Sequence, residues 1–280
     1  MTIQFAGHNI KQENLQSRSV SVIINNTKKA NYRATLKIMR IPTRLKKCSI
    51  VDSICEVRFE SSFPPEIVTG MIVGALNSLN ISSIEGLPVL QIPEVLRSTD
   101  EQLKFAPHYK AIVGDMVLQF GGGVITISSP IPYIGWLAFK PEIQKVLSCL
   151  FQSESKLVKK ITRVARRTVN FFPMDVLNYT TVEVKTPIEY EKKQYQYVDY
   201  YKDSDNLIIR TVIANQASYQ ESEGSVIDID AYIDYNSYTG IEAVMEAIER
   251  THTESKKIFF ILLCSDFIES MEPEYDDQLK

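Results

Sequence analysis

Three aspartates in the second half of the chain are the residues whose type and spacing come closest to a catalytic pattern. Asp228, Asp230 and Asp234 alternate with apolar residues, so a strand over 225–235 would project all three to one face. Carboxylates two residues apart on a strand are separated by about 6.5–7 Å, and with a glutamate they could bind Mg²⁺ for phosphoryl chemistry. The alternative is a solvated face of an antiparallel sheet, which we favour because this half is rich in acidic residues.

Cysteine and histidine residues give weaker indications of catalysis. Cys55 lies on the apolar face of a predicted strand and Cys149 lies among leucines in a predicted helix, which favours core packing over a nucleophile that needs an adjacent imidazole. His8, His108 and His252 are far apart, and no cysteine pair has CxxC spacing. We therefore expect reduced thiols in a cytoplasmic protein, with no catalytic residue, no metal and no cofactor.

Two groups of basic residues are candidates for binding rather than catalysis. One group lies in an N-terminal arm, and the other lies in a predicted strand that places Arg163 and Arg167 on one face and Arg166 on the other. The strand could instead be a solvated sheet edge, where basic residues deter unwanted pairing. The candidate binding residues are Lys28, Lys29, Arg40, Arg44, Lys46 and Lys47 in the arm and Arg163, Arg166 and Arg167 in the strand.

The charge of the chain is strongly divided between its two ends, although the net charge is only −3. Residues 1–50 carry ten basic residues and one acidic residue, residues 51–170 carry twelve and eleven, and residues 171–280 carry nine and twenty-two. Such a division favours an interaction role. The basic arm could lie over the chain's own acidic half, contact a protein partner or a second copy, or neutralise nucleic-acid phosphates.

Hydrophobic periodicity predicts an α+β fold of two lobes, each a mostly antiparallel sheet covered by helices. The predicted strands cover 49–60, 109–120, 124–129, part of 156–170, 179–186, 194–202, 206–215 and 225–235, and the glycine triplet 121–123 favours a hairpin turn. Helices are predicted from about 65, from about 140 and over 241–264. We divide the chain into a basic extension (1–47), a first lobe (48–172) and a second lobe with the long helix (173–280).

Five short stretches occur together in an order and spacing typical of one protein family. They are IVDSICEVRF (50–59), YIGWLAF (133–139), RVARRTVN (163–170), IDID (227–230) and a closing helix with His252 and Phe259. Over about residues 48–270 the chain resembles a sporadically distributed, functionally uncharacterised bacterial family of similar length. It departs from the family pattern at Ala165, where the family has Gly, and at Thr168, where the family has Tyr. The patchy distribution implies a role in a mobile accessory or defence system.

We therefore predict a non-catalytic binding or regulatory protein that acts through a protein partner or self-association, as a subunit of a bacterial accessory or anti-phage defence system. The first alternative is a nucleic-acid-binding protein that uses the basic arm and the basic strand. The second is a metal-dependent nuclease or phosphoesterase built on Asp228 and Asp230. A membrane partner is not expected, because the longest apolar stretch, 258–264, is far shorter than the roughly 18 residues of a membrane span.

Overall fold

The structure, a computed structural model, describes residues 4–5, 40–101, 103–151, 157–183, 194–235 and 240–275. Twelve strands lie in these residues, and every strand pairing is antiparallel. The strands are β1 (Gln4–Phe5), β2 (Arg44–Leu45), β3 (Ile50–Glu60), β4 (Ile84–Gly86), β5 (Tyr109–Val113), β6 (Met116–Gly121), β7 (Val124–Pro130), β8 (Lys160–Phe172), β9 (Gln196–Lys202), β10 (Leu207–Tyr219), β11 (Ser222–Asp234) and β12 (Pro273–Glu274).

Ten of these strands form one sheet in the order β1-β10-β11-β8-β3-β7-β6-β5-β4, with β9 also paired to β10. The basic strand β8 lies at the centre, between β3 and β11, so the predicted solvated edge is wrong. The α+β class with antiparallel pairing and covering helices is confirmed. The two halves share this sheet, because β8 hydrogen-bonds to a strand of each. The short strands β2 and β12 form a separate pair.

Helices cover one face of the sheet. The described α-helices are α1 (Pro65–Leu76), α2 (Glu94–Thr99), α3 (Trp136–Phe151), α4 (Ile241–Leu262) and α5 (Ser265–Ser270). The main core lies beneath them, where α4 packs on β8 and β11 and α1 packs on β6 and α3. The alternation in β3 explains this arrangement, because Ser53, Cys55, Val57 and Phe59 are buried on the helix side.

Three of the predicted elements differ clearly from the structure. The strand predicted over 109–120 is a hairpin of β5 and β6, because Gly114, at φ +57°, and Asp115 form a turn between them. The strand predicted over 179–186 is wrong at its start, where Leu177–Tyr179 is a 3₁₀ turn and Thr180 makes only one bridge; residues 184–186 lie outside the described part. The helix predicted from 140 begins at Trp136.

Glycine permits a close backbone approach at the end of β8. A Cβ on Gly224 would lie 2.0 Å from the carbonyl oxygen of Phe172, so β11 passes β8 there only without a side chain. The predicted hairpin at the glycine triplet is present between β6 and β7. Among the described residues, no helix combines the length and apolarity that crossing a membrane requires.

Candidate functional site

A groove of about 540 Å³ lies on the face of the sheet opposite the helices. Its floor is formed by the outward-facing side chains of β3, β6, β7, β8 and β11. The strands position these side chains by simple alternation, because their neighbours in sequence point into the helix-covered core. Seven charged residues line the groove, namely Asp52, Glu56, Arg58, Arg163, Arg167, Asp228 and Asp230.

The charged residues of the groove are arranged as ion pairs across neighbouring strands. Arg167 Nε and Nη2 donate to the two carboxylate oxygens of Asp228 at 2.8 Å each, and Asp228 is only 5% exposed. Arg163 Nη2 donates to Asp230 at 2.8 Å, and its guanidinium lies 3.6 Å from the ring centre of Tyr232. The solvated face predicted for the aspartate row is therefore wrong for Asp228, which is buried beneath an arginine.

A third ion pair continues the row at the β3 end of the groove. Arg58 Nε donates to Glu56 Oε1 at 2.7 Å, and Arg163 Nε lies 3.5 Å from the same oxygen. Arg163 thus bridges the carboxylates of Glu56 and Asp230. This network keeps the groove floor ordered and leaves it close to electrically neutral.

The pKa values of the groove residues reflect the same pairing. The bidentate hydrogen bond to Asp228 raises the pKa of the Arg167 guanidinium. Burial raises the pKa of the Asp230 carboxyl, although Arg163 and Arg167 act in the opposite direction. A divalent cation would have to displace these arginines, and no group of three or more potential metal ligands is found in the described part of the chain.

The described part of the basic arm contacts the acidic C-terminal segment. Arg44 forms an ion pair with Glu274, next to the backbone pairing of β2 with β12. Lys47 lies 3.1 Å from a carboxylate oxygen of Glu272 and lowers the pKa of that carboxyl. The Arg40 guanidinium lies 4.9 Å from the ring centre of Tyr275, while Lys46 is exposed. Lys28 and Lys29 lie outside the described residues.

Arg166 lies on the other side of the sheet, under the helices, and is 1% exposed. Its Nη2 donates to Ser53 Oγ at 2.9 Å, and the nearby Tyr133 side chain acts to raise its pKa, against the larger effect of burial. The guanidinium carbon is 4.9 Å from the ring centre of Trp136 and 5.1 Å from that of Phe139. Nε and Nη1 have no hydrogen-bond acceptor among the described residues. The alternation in β8 predicted that Arg166 points to the opposite face from Arg163 and Arg167. The sequence does not show that Arg166 is buried or that two of its nitrogens lack acceptors.

A stacked pair of rings covers Arg166. Trp136 and His252 lie with their ring centres 3.8 Å apart and their planes inclined by 12°, and both side chains are half-buried. Burial and the positive charges of Arg166, Lys256 and Lys140 lower the pKa of His252 to about 3. His252 is therefore a neutral ring in a positively charged environment.

Burial of the Arg166 guanidinium costs more free energy than burial of the Arg167 guanidinium, because only Arg167 has a carboxylate partner among the described residues. Burial of an ion without a counter-charge costs several kcal/mol, whereas a desolvated cation–π contact contributes about 2 kcal/mol. Burial also lowers the pKa of Arg166, which reflects this desolvation. We conclude that packing alone does not explain a guanidinium at this position.

Four of the five short stretches quoted in the sequence analysis contribute side chains around this buried arginine. They contribute Ser53, then Tyr133 with Trp136, then Arg166, and finally His252. No family model matches the chain, and no curated protein is significantly similar to it.

Proposed function

We propose that this protein is a non-catalytic binding protein that holds an extended segment of a protein partner in the groove of the open sheet face. The observation that carries the proposal is the pairing of charges on the groove floor. Asp228 and Asp230, the best catalytic candidates in the sequence, are acceptors of Arg167 and Arg163. A surface built in this way offers ordered donors and acceptors, as ligand sites do.

The charge of the groove supports a polypeptide partner over a nucleic acid. The lining contains three arginines and four carboxylates, and Arg210 lies 3.9 Å from the carboxylate of Asp228, so the groove has no excess of positive charge. A nucleic-acid site needs a positive surface that releases counterions from phosphates. We expect the bound segment to carry at least one basic residue, which the carboxylates would attract, together with polar groups that hydrogen-bond to the floor.

The proposal for where the protein works and with which kind of partner rests on the family resemblance and not on any residue of the groove. We propose that the protein works in the bacterial cytoplasm, with a partner that belongs to the same accessory or defence system. The groove is formed within one chain, so a second copy is not needed to complete it.

A random peptide library displayed on phage, panned against the immobilised full chain, tests the proposal. The enriched peptides are then synthesised with a fluorescent label, and their affinity is measured by fluorescence polarisation. Gln119→Trp fills the groove from β6, where Gln119 lines it, without breaking an ion pair. Gln144→Trp places the same residue on the exposed side of α3 and is the matched control.

We expect Gln119→Trp to lower the affinity for the selected peptides by about tenfold or more, and Gln144→Trp to leave it unchanged. Equal affinity in both variants, or no enriched peptide, would contradict the proposal. Salt-sensitive binding of labelled DNA or RNA that Gln119→Trp removes would favour the nucleic-acid alternative. Mg²⁺-dependent hydrolysis of a phosphodiester substrate that is lost in Asp228→Asn would favour the phosphoesterase.

A further inference from the structure

We propose that Arg166 anchors a separate binding site for a small oxyanion, a phosphate or a carboxylate, on the helix-covered side of the sheet. This site is distinct from the groove, because the side chain of Arg166 points to the opposite face from Arg163 and Arg167. The inference goes beyond the proposed function and does not depend on it.

The hydrogen bonding of Arg166 is the first argument. Two of its three guanidinium nitrogens, Nε and Nη1, are buried and lack an acceptor among the described residues. Buried donors are nearly always paired in proteins, so unpaired donors on a charged group indicate a missing partner. Guanidinium donors match the oxygens of carboxylates and phosphates in geometry and charge. Arg167, the next residue, has its carboxylate partner within the chain.

The charge around Arg166 is the second argument. No carboxylate of the described residues lies within ion-pairing distance of Arg166, whereas Lys140 and Lys256 act with it on His252. Lys140 is paired with Glu249 at 2.6 Å, and Lys256 donates to the carbonyl oxygen of Thr43. Asp52 acts on Arg166 only from a distance, so the guanidinium has no carboxylate from the described part of the chain in contact with it and retains the capacity to pair with an anion.

The position of the site gives it a built-in reporter. The stacked rings of Trp136 and His252 lie between Arg166 and the surface, and Trp136 is the only tryptophan of the chain. An oxyanion that reaches Arg166 enters beside these rings and changes the environment of the indole. Its binding therefore alters the intrinsic fluorescence of the protein.

Titration of the full chain with sodium phosphate and, separately, with sodium succinate tests the inference. Sodium chloride at matched ionic strength is the salt control, and each anion is raised to about 50 mM, above the Kd of a millimolar site. We expect a saturable change in tryptophan fluorescence with at least one of the two anions. A response to phosphate alone indicates a phosphate-bearing ligand, and a response to succinate alone indicates a carboxylate.

Three variants assign the response to the buried arginine. Arg166→Met is expected to abolish it, and Arg97→Met, which changes an arginine outside the cluster, is expected to retain it. Arg166→Lys keeps the charge but loses the planar donors, so it should weaken binding by about tenfold or more and covers the case in which Arg166→Met does not fold. The absence of a saturable wild-type response, or an unchanged response in Arg166→Lys, would overturn the inference.

Discussion

Acidification should destabilise the protein through His252, and the structure allows the size of the effect to be estimated. Burial against Trp136 and the charges of Arg166, Lys140 and Lys256 give His252 a native pKa of about 3. An unfolded histidine has a pKa of about 6.5, so between these two values the unfolded chain binds a proton that the folded chain does not. The contribution of His252 is thus fully present above the unfolded pKa and is lost as the pH falls toward 3.

Between pH 7.5 and 5.0 this linkage amounts to about 2 kcal/mol of unfolding free energy, since each pH unit below the unfolded pKa contributes about 1.4 kcal/mol. Urea unfolding at the two pH values measures the loss directly. His252→Phe keeps an aromatic ring against Trp136 but cannot titrate, and other groups contribute alike in both proteins. We expect the wild type to lose about 2 kcal/mol more than the variant over this range. Equal losses would refute the assignment of His252 as a buried neutral ring.

Further predictions concern the ion pairs, the core and the backbone. Asp228→Asn removes the charge that pairs with Arg167 and should lower the unfolding free energy by about 2 kcal/mol in urea, an effect that a freely solvated pair would not produce. Cys55 is 1% exposed and burial raises its pKa to about 12, so it should react with a thiol reagent only after unfolding; rapid labelling of the native protein would contradict this. Gly224→Ala should destabilise the protein by about 2 kcal/mol or more, because the new methyl group would meet the Phe172 backbone. Gly74→Ala, which adds a methyl group in open space within α1, should stabilise the protein by about 0.5–1 kcal/mol. Thermal unfolding measures both changes, and similar effects of the two substitutions would contradict the close approach at Gly224.

The local patterns of the chain were sufficient to predict most elements. The period-two alternation in β3 and β11 arises because one face of each strand packs under helices. This one-sided burial can be predicted from the order of apolar and polar residues within the strand itself. The helical stripe of α4 is visible for the same reason. The split of 109–120 into β5 and β6 depends on a single turn at Gly114. This turn was not predicted because the residues on both sides of it are mostly apolar and resemble one continuous strand.

The candidate sites were harder to predict because they depend on pairing between distant strands. The pattern of β8 placed Arg163 and Arg167 on one face, but it does not show that β11 lies beside it with Asp228 and Asp230. A central strand and an edge strand can carry the same alternation. The burial of Arg166 likewise depends on α3 and α4, which come from other parts of the chain.

The most direct test of the groove is a methyl NMR titration of the full chain with a peptide selected by panning. Ile54 is half-buried and lines the groove, whereas Ile67 is 52% exposed on α1, away from it. With isoleucine methyl groups labelled, we predict that the Ile54 resonance shifts in a saturable manner and that Ile67 stays unchanged. Shifts at Ile67 with an unchanged Ile54 would contradict a partner segment held on the open face of the sheet.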